Sequence, residues 1–168
     1  MTLDEKDEEK LGVKISRDAN VILEPFTKYF RGFDRVPAVR ALFEEATEKV
    51  LNNLRVEFFS SKFGYMGVSD EDGHILISTH HLKNSDFKIL YLDIVHELCH
   101  VKQFMDGKQI FSSEFEYVDS PIEVEAYKMT VKEAKRIGMR NDEISEYLKV
   151  EWINEEQHKR LVQSVELD

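Results

Sequence analysis

The segment from Asp86 to Met105, DFKILYLDIVHELCHVKQFM, constrains this chain more than any other. Leu90, Ile94, Leu98 and Val101 recur at helical spacing, with Phe87, Tyr91 and Val95 alongside, so the segment reads as a long helix with a broad buried face. The stretch KNSD at its start offers several N-cap residues, and Gly107 follows where a helix stops. Yet the middle of this apolar run is HELCH, residues 96 to 100. Two imidazoles and a carboxylate are costly to bury unless something partners them.

The spacing says what that partner is. Residues i and i+4 share one helix face, so His96 and His100 can present two nitrogens to a single ion. Glu97 lies ~100° round the helix from His96, beside the ion rather than on it, where it can take a proton from an attacking water. Zinc is the natural ion for imidazole and carboxylate donors. A catalytic zinc uses three protein ligands, so a third must come from elsewhere. The extended motif HExxHxxGxxH is absent, because Gln103 and Asp106 occupy the Gly and His positions. A carboxylate is therefore expected, and Glu114, Glu116, Asp119, Glu123 and Glu125 are within reach. Glu123 also has a purely structural reading: Ser120-Pro121-Ile122-Glu123 is a capping box for the next helix. One carboxylate would have to choose between the two roles.

The rest of the chain reads as α+β. The stretch DRVPAVRALFEEATEKVLNNL, starting at Asp34, puts Val39, Leu42, Phe43, Ala46, Val50 and Leu54 on one helical face, with Asp34 as its cap and Pro37 in its first turn. RVEFFSS, YMGVS and HILIST then read as three strands. Asp72-Gly73 predicts a hairpin between the last two, and a small, mostly antiparallel sheet follows. Downstream, helices are expected from Ser120 to about Gly138, near 141–150 and near 153–163. Residues 1 to 12 read as a mobile acidic tail and residues 13 to 168 as one domain; residues 13 to 33 give no clear pattern.

Composition narrows the function classes. With 42% hydrophobic and 33% charged residues, 168 in all, the chain suits one globular domain with a real core. A net charge of −10 argues against nucleic acid as a partner. No apolar run reaches the ~20 residues a membrane helix needs, and the charged N-terminus does not resemble a signal peptide, so no membrane partner and a cytoplasmic location are expected. The single cysteine, Cys99, excludes internal disulfides and reads as a small core hydrophobe.

HELCH followed by IEVEAYKMTVKEAKR resembles the gluzincin zinc metallopeptidases, and the chain's size is similar to that of the minigluzincins. The resemblance covers roughly residues 55 to 138. It implies a zincin-like fold with the sheet packed on the HExxH helix, and hydrolysis of peptide bonds with Glu97 as general base. In that group a downstream helix supplies the third ligand as Glu in an ExxA-type motif, often with Asp after the Ala. EVEA at 123–126 assigns that role to Glu123, while Tyr127 stands where the Asp would support a ligand histidine. The resemblance further implies an edge strand above the site, here HILIST, that holds an extended peptide substrate. The alternative function is a latent or silent zinc-binding regulatory module whose cleft is covered by its own tail.

A peptidase must also stabilise an oxyanion. Tyr117, Tyr127 and His158 are candidates by residue type. His80 and His81 read as exposed histidines at a strand end, and Trp152 as the residue packing a C-terminal helix onto the domain.

Overall fold

The computed structural model describes residues 2–61 and 65–167; Met1, Lys62 to Gly64 and Asp168 lie outside the described residues. The architecture is α+β, as expected. In chain order it runs α1 (Leu3–Leu11), β1 (Lys14–Ile15), β2 (Leu23–Pro25), α2 (Phe26–Tyr29), β3 (Phe30–Arg31), α3 (Pro37–Phe43), α4 (Thr47–Asn53), β4 (Arg55–Phe59), β5 (Met66–Val68), β6 (Ile75–Ser78), α5 (Thr79–Asn84), α6 (Phe87–Met105), α7 (Pro121–Arg136), α8 (Asn141–Tyr147) and α9 (Glu155–Ser164). None of these helices is long and apolar enough to cross a membrane.

The centre of the molecule is α6. Its N-cap Asp86 accepts from the backbone N–H of Lys88. Leu90, Leu92, Ile94 and Leu98 have no exposure at all. Full burial of such side chains stabilises by about 1.5–3 kcal/mol each. Tyr91 is equally buried, and its hydroxyl donates to Glu133 of α7 at 2.5 Å. Arg136 donates to the same carboxylate at 2.7 and 2.8 Å, so a charged network ties α7 along α6.

The sheet differs from the expected three strands. It has four, in the order β2-β4-β6-β5. The hairpin at Asp72-Gly73 is present, joining β5 antiparallel to β6, with Met66 opposite Ile77 and Val68 opposite Ile75. Gly73 has φ +80°, and a Cβ there would sit 2.5 Å from the Phe104 ring of α6, so the turn needs glycine twice over. β4 and β6, however, pair in parallel, which makes the sheet mixed. HILIST is therefore an interior strand and β5 is the edge: Ile75 and Ile77 are fully buried because β6 has neighbours on both sides.

Four further expectations change. Residues 3–11 form a helix rather than a mobile tail, because Thr2 and Glu5 make a capping box and Gly12 closes the end in left-handed conformation. The unpatterned residues 13–33 carry part of the core, including Val13, Ile15, Phe26, Phe30 and Phe33, and contribute β2. The helix from Asp34 is broken at Glu44, whose φ is +51°; Thr47 donates its hydroxyl to the Glu44 carbonyl at the break. The buried face consequently moves to Val39, Phe43, Thr47 and Leu51, and Ala46 is exposed. Asp34 caps nothing; Val36 is the N-cap residue and Pro37 the first residue of α3.

Candidate metal centre

The two helices that carry the candidate ligands lie side by side, α6 with His96 and His100, α7 with Glu123 in its first turn. The Nε2 atoms of the histidines are 3.1 Å apart, and Oε1 of Glu123 lies 3.0 Å from each. Around a tetrahedral zinc with bonds of about 2.0–2.1 Å, donor atoms stand about 3.3–3.4 Å apart. The three atoms are thus a few tenths of an ångström from that spacing, with donor types that suit zinc.

His96, Glu97 and His100 also form a compact group, with donor atoms all within 4.8 Å of one another. Contact distinguishes the two carboxylates. Glu123 touches both imidazoles, whereas Oε2 of Glu97 is buried with no hydrogen-bond partner among the described residues. A buried carboxylate oxygen left unpaired is expensive in a folded chain and is a common mark of a working site.

Ser120 is the N-cap residue of α7, but neither half of the capping box forms: no side-chain hydrogen bond caps this helix. The Glu123 side chain crosses to α6 instead. Burial alone would raise its pKa, yet hydrogen bonds from His100 and His96 outweigh this and hold the carboxyl down at about 2. Burial works against a charged His100, but Glu123 and the nearby charge of Glu97 carry its pKa up to about 9. Burial pushes the Glu97 carboxyl above the usual range, with His100 and His96 opposing. A carboxylate of raised pKa is a stronger base at neutral pH.

Each ligand histidine is held differently. His96 stacks on the Tyr127 ring at 4.3 Å between centroids, and its Nδ1 has no partner among the described residues. His100 Nδ1 meets Oε1 of Gln103 at 2.7 Å. The Asp expected after Ala126 is replaced in this orienting role by a residue of α6 itself, one that sequence reasoning treated only as a missing glycine. Its signal was present: position 103 is three beyond 100, hence on the same helix face.

Of the other candidate acids, Glu125 accepts from Gln103 and Lys108 and does not reach the histidines. Glu116 and Asp119 are taken up by Arg160 of α9. Glu114 is exposed. Cys99 is buried, which pushes its thiol up to about 12 and makes it inert.

A cleft of about 840 Å³ opens over the three candidate ligands. β5 contributes Met66, Gly67 and Val68 to one side of it; Tyr117, Tyr147 and Trp152 contribute from the C-terminal half. Tyr117 and Tyr127 share a hydroxyl–hydroxyl hydrogen bond of 2.6 Å at its floor. One of the two protons makes that bond, so the other is free for a third group. His158 is elsewhere, pairing with the Ser145 carbonyl at 2.8 Å.

His80 and His81 lie in α5 rather than at a strand end; His80 is exposed as expected, but His81 is partly buried. Ser78 accepts from the His81 N–H and starts α5, and this turns His81 inward. Its Nε2 pairs with Asp93 at 2.8 Å, and Tyr147 donates to the other oxygen of Asp93 at 2.7 Å. This polar network lines the cleft one helical turn before His96, and sequence analysis missed it. Trp152 is half exposed in the turn after α8, its ring edge-on to Tyr117 at 5.5 Å; it walls the cleft rather than packing a helix.

Compared with protein-family models, with curated proteins and with solved structures, the chain returns no match.

Proposed function

We propose that the chain is a zinc metalloendopeptidase with a zincin-like arrangement, in which His96, His100 and Glu123 hold the zinc and Glu97 is the general base. The observation that carries this reading is the path of Glu123, which leaves its own helix terminus uncapped to reach both Nε2 atoms at 3.0 Å. A zinc ion held by His96, His100 and Glu123 would supply a Lewis acid able to polarise the scissile carbonyl and lower the pKa of water toward ~7. Glu97 takes the proton of the attacking water and delivers it to the leaving amine. Its burial both raises its basicity and keeps bulk water from competing. The remaining proton of the Tyr117–Tyr127 pair, whose residues line the same cleft, is the donor we assign to the developing oxyanion.

The edge strand supports a peptide as substrate. Tyr65 O accepts from Ser78 N, and Ser69 N donates to His74 O, so residues 65 and 69 bond toward β6. The alternation of an antiparallel ladder then turns the backbone groups of Met66, which is only partly buried, away from β6 toward the cleft, while Val68 is buried. An extended peptide can add there as a further strand, gaining main-chain hydrogen bonds whatever its sequence.

The test is metal content followed by activity. Protein loaded with zinc and dialysed should keep one ion per chain and hydrolyse an unstructured protein, with activity lost to a chelator and restored by zinc. Retention of far less than one zinc, with both histidines intact, overturns the assignment.

A further inference from the structure

Gln103 occupies an unusual place for an amide. It is 1% exposed, in the last turns of α6 on the same face as His100, and its polar atoms are directed at His100 and at the first turn of α7. Its Nε2 donates to the carbonyl of Ile122 at 3.1 Å and to Glu125 at 2.8 Å. Both of those partners can only accept, so the other end of the amide facing His100 must be the oxygen. An amide oxygen cannot donate. The proton in the 2.7 Å contact therefore sits on His100 Nδ1, and the lone pair of the imidazole is left on Nε2, toward Glu123 and His96.

We infer that Gln103 is the positioning residue of the centre: one buried amide fixes the tautomer and ring angle of His100 and, through the Ile122 carbonyl, the first turn of α7 from which Glu123 reaches across. This rests on the zinc reading of the site. The residue beside Ile122 is Glu123 itself, so the same side chain registers His100 and Glu123, which lie on two helices and are 23 residues apart in sequence. Among the described residues His96 has no such partner on Nδ1 and its ring leans on Tyr127, so orientation of the donor set depends more heavily on the His100 side. Outer-sphere partners of this kind typically contribute 10–100-fold to metal affinity. A neutral amide also differs from a carboxylate at the same position: it orients the imidazole without adding a negative charge beside the centre.

Two variants and two readouts test the inference. Zinc affinity is measured by competition with a chromogenic chelator, and the Nδ1–H of His100 is followed by proton–nitrogen NMR of the zinc-loaded protein. Gln103→Leu keeps the bulk and removes every hydrogen bond; it should weaken zinc binding 10–100-fold and lose the protected Nδ1–H signal. The double variant Gln103→Glu/Glu125→Gln restores an acceptor for His100 and a donor from position 125, though not the donor to the Ile122 carbonyl; it should recover the Nδ1–H signal and bind zinc more tightly than Gln103→Leu. Parent-like zinc affinity in Gln103→Leu overturns the inference, as does a double variant that folds but behaves like Gln103→Leu. If Gln103→Leu does not fold, the double variant still decides on its own Nδ1–H signal. Failure of the parent protein to hold zinc is a different result and sinks the zinc reading itself.

Discussion

Glu123 Oε1 lies 3.0 Å from His100 Nε2, across the interface of two helices whose contact residues are 23 apart in sequence. That carboxylate could have capped its own helix and does not. A cap is worth about 1 kcal/mol. Its absence here marks a residue whose side chain is committed elsewhere.

Glu123→Ala should therefore lower zinc affinity by more than about a hundredfold, beyond the range of outer-sphere partners. No capping bond is lost from α7, but the metal-free protein should lose the stability that the buried His100–Glu123 pair contributes, because the substitution leaves the imidazoles without their partner. Equilibrium competition with a chelator measures the first, and thermal unfolding of the metal-free protein measures the second. Parent-like zinc binding would return Glu123 to a merely structural role.

Glu97→Gln keeps the shape of the general base and removes its proton affinity. Zinc content should stay at the parent level while peptide hydrolysis falls by a factor of 10² or more, the usual range for a positioned acid–base group. A variant retaining full turnover would refute the mechanism even if zinc remains bound.

The metal-free protein should show a pH optimum of stability set by the His100–Glu123 pair. His100 is raised from 6.5 to about 9, so its contribution is complete below pH 6.5 and is lost as pH rises through 9. Glu123 is lowered from 4.5 to about 2, so its contribution is complete above pH 4.5 and is lost as pH falls toward 2. This pair thus stabilises most between about pH 4.5 and 6.5 and less on either side. Zinc must displace the His100 proton, so its apparent affinity should instead climb with pH up to about 9. Melting temperatures with and without chelator across pH 4 to 10 check both slopes, which should have opposite sign above pH 6.5.

Met66→Pro tests the substrate edge. Proline is tolerated on an edge strand where its missing N–H faced outward. The fold should survive with a melting temperature close to that of the parent, while KM for peptide substrates rises several-fold because one main-chain donor is gone. An unchanged KM would exclude strand addition at β5.

The Tyr91–Glu133 bond is buried and charge-assisted, with Glu133 2% exposed. Tyr91→Phe should destabilise by about 1.5–3 kcal/mol, the range for hydrogen bonds to charged groups. Urea unfolding reads this directly, and a loss under 0.5 kcal/mol would mean that Arg136 alone satisfies the carboxylate.

The division between sequence and structure follows from the range of the forces involved. Periodicity and turn chemistry are local. They placed α6 with its caps, the Asp72-Gly73 hairpin, the helices after Ser120, and His96, Glu97 and His100 on one apolar helix. They also narrowed the third ligand to five acids. Whether β4 pairs in parallel with β6, and which strand is left at the edge, depends on contacts between residues about 20 positions apart, to which a local pattern is blind. The break at Glu44 was hidden for the same reason: the apolar period continues through it, and only packing against the rest of the core turns Thr47 inward. His81 and Gln103 escaped notice because a polar side chain acquires its role from the partner it meets, Asp93 for one and the α7 terminus for the other. Glu123 shows the limit most plainly. Its sequence context offers both a cap and a candidate ligand, and only the approach of α7 to α6 brings two imidazoles close enough for the side chain to cross to them instead of capping.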